Sequence, residues 1–296
     1  MRPSYDVVIV GGGVTGSSTA YWLASQPGFD GSVLVVERDP TYEGAPSARA
    51  TGGIRQQFST PENVQMGLFG AEFVRSIDER LSVDGEGTGV IFREQGYLLL
   101  ATEQALASMR EAHAIQRELG ADIVFKDTAA LEREFPWVKT DGIEGAFFGA
   151  SNEGWVDPYA LLQAFKRKAR ACGAEYVADE ALEVLESGQR ATGVRLRDGG
   201  EIGAGVVVDA AGASGAAALA AGLGIDLPIE SRQRCTFVYE CREDISMGQL
   251  TVLPNGLAWR PEGARFVTSI VPPPERDPVT HDFNVDYWLF DEIIWP

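Results

Sequence analysis

Histidine, cysteine and basic residues are in short supply in this 296-residue sequence, and each shortage removes a class of function. There are two histidines, His113 and His281, far apart in the chain. A His/Cys metal centre is therefore not expected. A Ser-His-Asp hydrolase is disfavoured too, because no G-x-S-x-G elbow is present. His113 falls in a charged helical run and reads as a surface residue. The three cysteines, Cys172, Cys235 and Cys241, form no C-x-x-C and read as free thiols of a reducing compartment. Lys and Arg total 25 against 43 Asp and Glu, a net charge of −18. Such a surface repels phosphates and anionic lipid, so neither nucleic acid nor membrane is an expected partner.

Long apolar runs are missing as well. A bilayer span needs about 18 apolar residues, and nothing here approaches that. The run Tyr5–Val10 is too short for a signal-peptide core, and glycines follow it where a cleavage site would stand. The expected location is cytoplasmic. What is present is ordinary globular material, 45% hydrophobic and 23% charged, enough for one large or two interleaved domains.

The chemistry begins at the N-terminus. Tyr5-Asp-Val-Val-Ile-Val10 reads as a strand buried on both faces of a parallel sheet. It runs into Gly11-Gly-Gly-Val14-Thr15-Gly16, and Ser17–Ser25 follows as a helix. Gly11, Gly13 and Gly16 thus form G-x-G-x-x-G in strand–turn–helix context. The glycines serve a tight turn, close approach to a pyrophosphate, and helix–strand packing. The helix N-terminus adds free N–H groups and the positive dipole end. A second strand, Ser32–Glu37, ends in an acid roughly twenty residues after Gly16, the spacing of a ribose-binding carboxylate. This unit alone does not choose between NAD and FAD.

The next segment, Ser47-Ala-Arg49-Ala50-Thr51-Gly52-Gly53-Ile-Arg55-Gln-Gln-Phe-Ser59 followed by Pro61-Glu-Asn63, resembles the D-amino-acid-oxidase-type family of FAD enzymes. That family includes sarcosine, glycine and dimethylglycine oxidases and dehydrogenases, and a mitochondrial branch linked to respiratory complex I assembly. The resemblance implies FAD as cofactor and an α/β (α+β) fold: a Rossmann-like FAD-binding domain with an interleaved antiparallel-sheet substrate domain. It implies a loop along the pyrophosphate and under the flavin ring, where Ser47, Arg49, Ala50, Thr51, Gly52 and Gly53 stand. Val14, Thr15 and Arg38 complete the expected nucleotide contacts of the first unit.

Farther on, Glu62–Glu79 reads as a helix, Gly89–Leu100 and Gly145–Ala150 as strands, and Thr102–Leu119 as a helix. A shorter helix ends near Phe135. Asp157 reads as the N-cap of a helix Pro158–Ala171, with Pro158 in its first turn. The strand Ala181–Leu185 follows; by resemblance it touches the adenine through Leu182. Arg190–Arg197 and Gly200–Asp209 read as a hairpin turning at Asp198-Gly199. Its end, Val206-Val-Val-Asp-Ala-Ala211-Gly212, matches the family's return to the cofactor phosphates. Strands Gln233–Cys241, Gln249–Leu253, Leu257–Arg260 and Phe266–Val271 extend the substrate domain. The expected division is 1–82 with 151–225 for FAD, and 83–150 with 226–296 for substrate. Relative to the family, the sequence is expected to be truncated at its C-terminus, where a last flavin-contacting segment would follow.

The resemblance implies oxidation of the C–N bond of a small amine or amino acid, sarcosine-like or a D-amino acid. Hydride passes to flavin N5, and oxygen or another acceptor reoxidises the flavin. Arg55 aligns with the family's carboxylate-binding arginine, and its planar fork suits that task. A structural salt bridge at Arg55 is the competing reading, and Arg49 could equally face the pyrophosphate. The alternative function is a non-catalytic flavoprotein or assembly factor.

Overall fold

The computed structural model describes all 296 residues. In chain order its elements open with β1 (Ser4–Val10), α1 (Val14–Ala24), β2 (Val33–Glu37), α2 (Pro46–Arg49) and β3 (Gly53–Ile54). They continue with α3 (Pro61–Arg75), α4 (Ile77–Leu81), β4 (Tyr97–Ala101), α5 (Glu103–Glu118) and β5 (Ile123–Asp127). Next come α6 (Thr128–Glu134), β6 (Gly145–Gly149), β7 (Gly154–Trp155), α7 (Pro158–Ala171), β8 (Glu175–Ala178) and β9 (Ala181–Ser187). Then follow β10 (Arg190–Leu196), β11 (Glu201–Asp209), α8 (Ala216–Gly222), β12 (Thr236–Tyr239), β13 (Leu250–Val252), β14 (Ala258–Glu262) and β15 (Arg265–Ser269), and short helical turns at Pro274–Arg276, Tyr287–Leu289 and Phe290–Ile294 close the chain.

Packing divides the chain into two units. The first holds Met1–Thr51, Ile77–Val90 and Asp157–Ser231; the second holds Gly52–Ser76, Ile91–Val156 and Arg232–Pro296. The division differs from the sequence-read boundaries chiefly at Gly52–Ser76. There β3 pairs with β7, and α3 packs on β3 and α5.

The first unit is built on a six-stranded sheet in the order β8-β2-β1-β11-β10-β9. β8, β2, β1 and β11 run parallel, while β10 and β9 return antiparallel as a hairpin. Strands so rich in Val and Ile bury both faces: Val8, Ile9, Val35 and Leu34 are all within 1% of fully enclosed. Each such side chain contributes about 1.5–3 kcal/mol by leaving water. α1 packs against α7 through Ala20, Tyr21 and Phe165. The Asp157 carboxylate caps α7 by accepting the N–H groups of Tyr159 and Ala160 at 2.9 and 3.0 Å. Helix α1 begins at Val14, earlier than the Ser17 expected, because the glycine motif itself supplies the first turn.

The second unit carries a seven-stranded sheet, β12-β15-β14-β13-β4-β6-β5. It is antiparallel except where β13 runs parallel to β4. The expected strand Gly89–Leu100 is reduced to Tyr97–Ala101, since Gly89 and Gly96 adopt φ of 74° and 86° that no strand accommodates. The expected helix Glu62–Glu79 is broken at Ser76, whose φ and ψ of −99° and 21° leave the helical region. Strand β5 was not apparent in the sequence. His113 is half-buried: its Nε2 lies 2.9 Å from the Ile123 carbonyl and its ring packs on Phe147.

Register fixes one row of side chains across the second sheet. Tyr97 of β4 stands opposite Gly149 of β6 and Leu250 of β13. Thr251 faces Trp259, so alternation sets Arg260 on the same face as Leu250 and Tyr97. No helix is long and apolar enough to cross a membrane.

Candidate cofactor and substrate sites

In the first unit the glycine motif is locked by contacts that leave no room for side chains. Gly11 has φ of 97° and donates its N–H to Val36 at 2.8 Å. A Cβ there would stand 2.3 Å from the Ala210 carbonyl oxygen, and one on Gly16 would stand 1.8 Å from that of Gly11. A Cβ on Gly13, the N-cap of α1, would meet Ser47 Oγ at 2.9 Å. Ser47 Oγ accepts the Val14 N–H at 3.2 Å. No side chain of the N-cap residue covers the remaining amides of the first turn, so Thr15 and Gly16 lie at a positive helix end.

Glu37 closes the turn from β2. Its carboxylate accepts the Gly12 N–H at 2.7 Å and the Asp39 N–H at 2.8 Å. Arg38 donates to Ser214 Oγ at 2.8 Å and pairs with Glu180 at 3.8 Å. The Asp179 N–H donates to the Glu37 carbonyl at 3.1 Å, which brings the start of β9, and with it half-exposed Leu182, to the end of β2. At the end of β11, Ala210 N–H donates to Val10 at 2.8 Å, Ala211 N–H to Asp209 at 3.0 Å, and Gly212 takes φ of 65°. Gly11–Gly16, Glu37, Ser47 and Ala211–Gly212 therefore gather beyond the carboxyl ends of β1, β2 and β11, where parallel sheets bind ligands. Arg49, the last residue of α2, and Ala50, which caps it, are exposed.

Tyr42 is a contributor that the sequence did not signal. It is buried with φ of 61°, its hydroxyl has no partner, and it reaches within 3.1 Å of where a Gly12 Cβ would stand. Burial and the nearby Glu37 charge push its pKa upward. An orphaned hydroxyl, a bare glycine cradle and an uncapped helix end together fit a dinucleotide.

The second unit holds the rest of the predicted loop. Gly52 accepts the Val156 N–H at 3.0 Å, and a Cβ on Gly53 would sit 1.8 Å from the Tyr97 hydroxyl. The Arg55 guanidinium lies 4.6 Å from the centre of the Phe58 ring and 6.0 Å from that of Tyr97. No carboxylate is within ion-pairing distance of it, so the structural-salt-bridge reading of Arg55 fails.

Three neighbours escaped sequence reasoning. Glu153 is fully buried, and desolvation lifts its pKa to about 7 against the pull of Gln57, Gln56 and Arg55. Tyr97 is pushed up to about 12, again chiefly by burial. Arg260 is buried 5.1 Å over the Trp155 ring, pairs with Glu262, and leaves its Nε without a partner. The Gly154-Trp-Val-Asp157-Pro run offered a signal for the first, since Glu153 directly precedes it. No group of His, Cys, Asp and Glu side chains is arranged to hold a metal ion.

A mixed α/β fold with a glycine-cradled helix end beside an acid-tipped second strand defines a dinucleotide-binding protein. The family follows from the sequence match: residues 6–275 fit the model of the DAO family, FAD dependent oxidoreductase, and the chain belongs to it. FAD is the cofactor of that family. Among curated proteins, the chain is 38% identical to bovine (Bos taurus) FAD-dependent oxidoreductase domain-containing protein 1, over 98% of this chain and 67% of that protein. It is 30% identical to the sarcosine oxidase subunit beta of Arthrobacter sp, covering 82% of this chain and 60% of that one. The chain thus spans about two thirds of the length of the first relatives it matches. Among solved structures, L-proline dehydrogenase from P.horikoshii superposes with a TM-score of 0.86 at 22% identity, over all of this chain and 76% of that one. Glycine oxidase from Geobacillus kaustophilus does so at 0.73 and 23%, over 92% of this chain and 72% of that one. These two likenesses show the fold.

Proposed function

We propose that the chain is the FAD-dependent part of an oxidoreductase acting on the C–N bond of a small amino acid, sarcosine-like or another N-substituted glycine. The observation that carries this reading is Arg55. A half-buried guanidinium held over two aromatic rings, with no acidic partner, keeps its fork available for an anion. A substrate α-carboxylate is the anion its fork fits best. The relatives and structural neighbours, which include sarcosine oxidase, glycine oxidase and L-proline dehydrogenase, support the same substrate class.

In this reading the first unit holds the FAD. The amides of Gly13, Thr15 and Gly16 would face its pyrophosphate, with Val14, Ser47, Arg49, Ala50, Thr51, Ala211 and Gly212 around them. Glu37 takes the ribose, and Arg38 and Leu182 border the adenine. By the family resemblance, Gly52 and Gly53 would leave backbone bare for a flat ring, Gly53 beside the Tyr97 hydroxyl. When bound, the isoalloxazine supplies the electron sink for the amine C–H. Arg55 orients the substrate by its carboxylate, and Phe58 and Tyr97 exclude water around that ion pair, which strengthens it.

The test is anaerobic mixing of the FAD-loaded protein with a panel of N-methyl and unsubstituted amino acids, followed at the flavin absorbance band. Bleaching by at least one carboxylate-bearing amine is expected. A protein that holds FAD but bleaches with none of them is a flavin-binding assembly component, and the enzymatic reading is then wrong.

A further inference from the structure

Glu153 is a buried acid of the second unit that anchoring of a substrate carboxylate at Arg55 leaves unused. Its Oε1 accepts the backbone N–H groups of Gln56 and Gln57 at 2.5 and 3.1 Å, and its Oε2 accepts Gln57 Nε2 at 2.8 Å. Those donors are the two residues that directly follow Arg55. The Gln56 side chain anchors the same segment to the Asn152 carbonyl at 2.6 Å. Beneath the carboxylate the sheet is bare: a Cβ on Gly149 would stand 1.8 Å from Oε2. Glu153 is thus seated over the row that continues through Tyr97 and Leu250 to Arg260.

Its charged surroundings are sparse. Arg55 favours the anion without pairing with it. From β4 comes Tyr97, which stays neutral across the physiological range, and from β14 comes Arg260, already paired with Glu262. Trp155 of β7, Gly149 of β6 and Gly67 of α3 bring no charge. Arg75 and Glu94 pair with each other beside Asn152 at the surface.

We infer that Glu153 is a specificity-determining residue of the carboxylate site at Arg55: an incoming carboxylate competes with it for that guanidinium, and Glu153 takes up a proton from solvent as the carboxylate binds. This rests on the reading of Arg55 as the carboxylate anchor. Two anions served by one cation in a low-dielectric setting raise each other's proton affinity, and the enclosed one yields. Glu153 is already close to doing so, since burial holds it near neutrality. The neutral form also has a partner waiting. Gln57 Oε1 is buried without a hydrogen bond, and a turn of that amide, which gives up its Nε2 bond to the Tyr97 carbonyl at 3.2 Å, presents it to a Glu153 hydroxyl. The site therefore favours monocarboxylates that can be charge-balanced by discharging Glu153. Amines lacking a carboxylate bind without proton uptake.

Calorimetric titration of the FAD-loaded protein with methoxyacetate, a carboxylate that has no C–N bond to oxidise, tests this in buffers of different ionisation enthalpy. In the native protein the uptake should approach about one proton just above neutral pH, and affinity should weaken by up to tenfold per pH unit there. Glu153→Gln should bind with the native protein's low-pH affinity and show no uptake. Absence of uptake in the native protein, or its persistence in Glu153→Gln, overturns the inference. The native measurement stands even where that variant folds poorly. Arg55→Ala separates the two readings. If it binds methoxyacetate as tightly as the native protein, the anchor itself is misassigned. If it loses binding while the native protein binds without uptake, the inference about Glu153 fails and the Arg55 reading stands. A native protein that does not bind methoxyacetate sinks both.

Discussion

Glu37 holds the Gly12 backbone N–H at 2.7 Å, so the acid at the tip of β2 shapes the glycine turn and also lies where a ribose is expected. The same carboxylate takes the Asp39 N–H. Glu37→Ala removes a charged acceptor from two amides, a loss of about 1.5–3 kcal/mol. If Glu37 also meets the ribose, the dissociation constant for FAD should rise by roughly 10- to 100-fold, measured by titrating apoprotein with FAD. An unchanged constant would place the ribose elsewhere.

Glycines in this chain differ sharply in what an added methyl would meet. Gly16→Ala drives a Cβ to 1.8 Å from the Gly11 oxygen, backbone against backbone, and α1 must shift away from the turn. The variant should purify without flavin and melt several degrees lower. Gly70, inside α3, has no atom within 4 Å of the same position. Gly70→Ala should therefore raise stability by about 0.5–1 kcal/mol through helix propensity alone, and its melting temperature should rise slightly. Equal effects of the two changes would refute the steric account of the motif.

Arg55 is held by rings and not by acids, which predicts an effect confined to anionic substrates. Arg55→Ala should raise KM for carboxylate-bearing amines by about 100-fold, the worth of a charge-assisted bidentate pair of roughly 3 kcal/mol. Arg55→Lys should recover only part of this, since an ammonium cannot grip both oxygens. An amine of similar size without a carboxylate serves as the control. If KM for that control rises as much as for the carboxylates, Arg55 supports structure instead.

The nucleotide half was legible because local chemistry dictates it. Gly11 and Gly16 are needed where backbone touches backbone and Gly13 where the turn meets the Ser47 hydroxyl, and Asp157-Pro158 announces α7 whatever packs on it. Tyr97, Glu153 and Arg260 could not be found that way. They stand on β4, beside β7 and on β14, and only the register of the second sheet brings them near one another. Nothing in the period of the sequence marks a charge that will be buried. The strand expected over Gly89–Leu100 misled for a related reason: its apolar residues were visible, but the left-handed backbone at Gly89 and Gly96 was not.

The raised pKa of Glu153 makes a prediction about stability as well as binding. In the folded chain this carboxyl titrates at about 7, against an ordinary value of 4.5. Between those two values the folded state keeps a proton that the unfolded chain has released. Stability contributed by this group therefore falls as pH rises through that window, and the full cost, on the order of 3 kcal/mol, is present above it. Glu153→Gln carries no such charge. Its melting temperature should match that of the native protein near pH 5 and exceed it by several degrees near pH 8, an approximate conversion of that cost. Because every other carboxylate is common to both proteins, the difference between the two curves isolates Glu153. A difference that stays constant with pH, or grows toward acid, would mean that Glu153 is ionised throughout and that its three hydrogen bonds outweigh its burial.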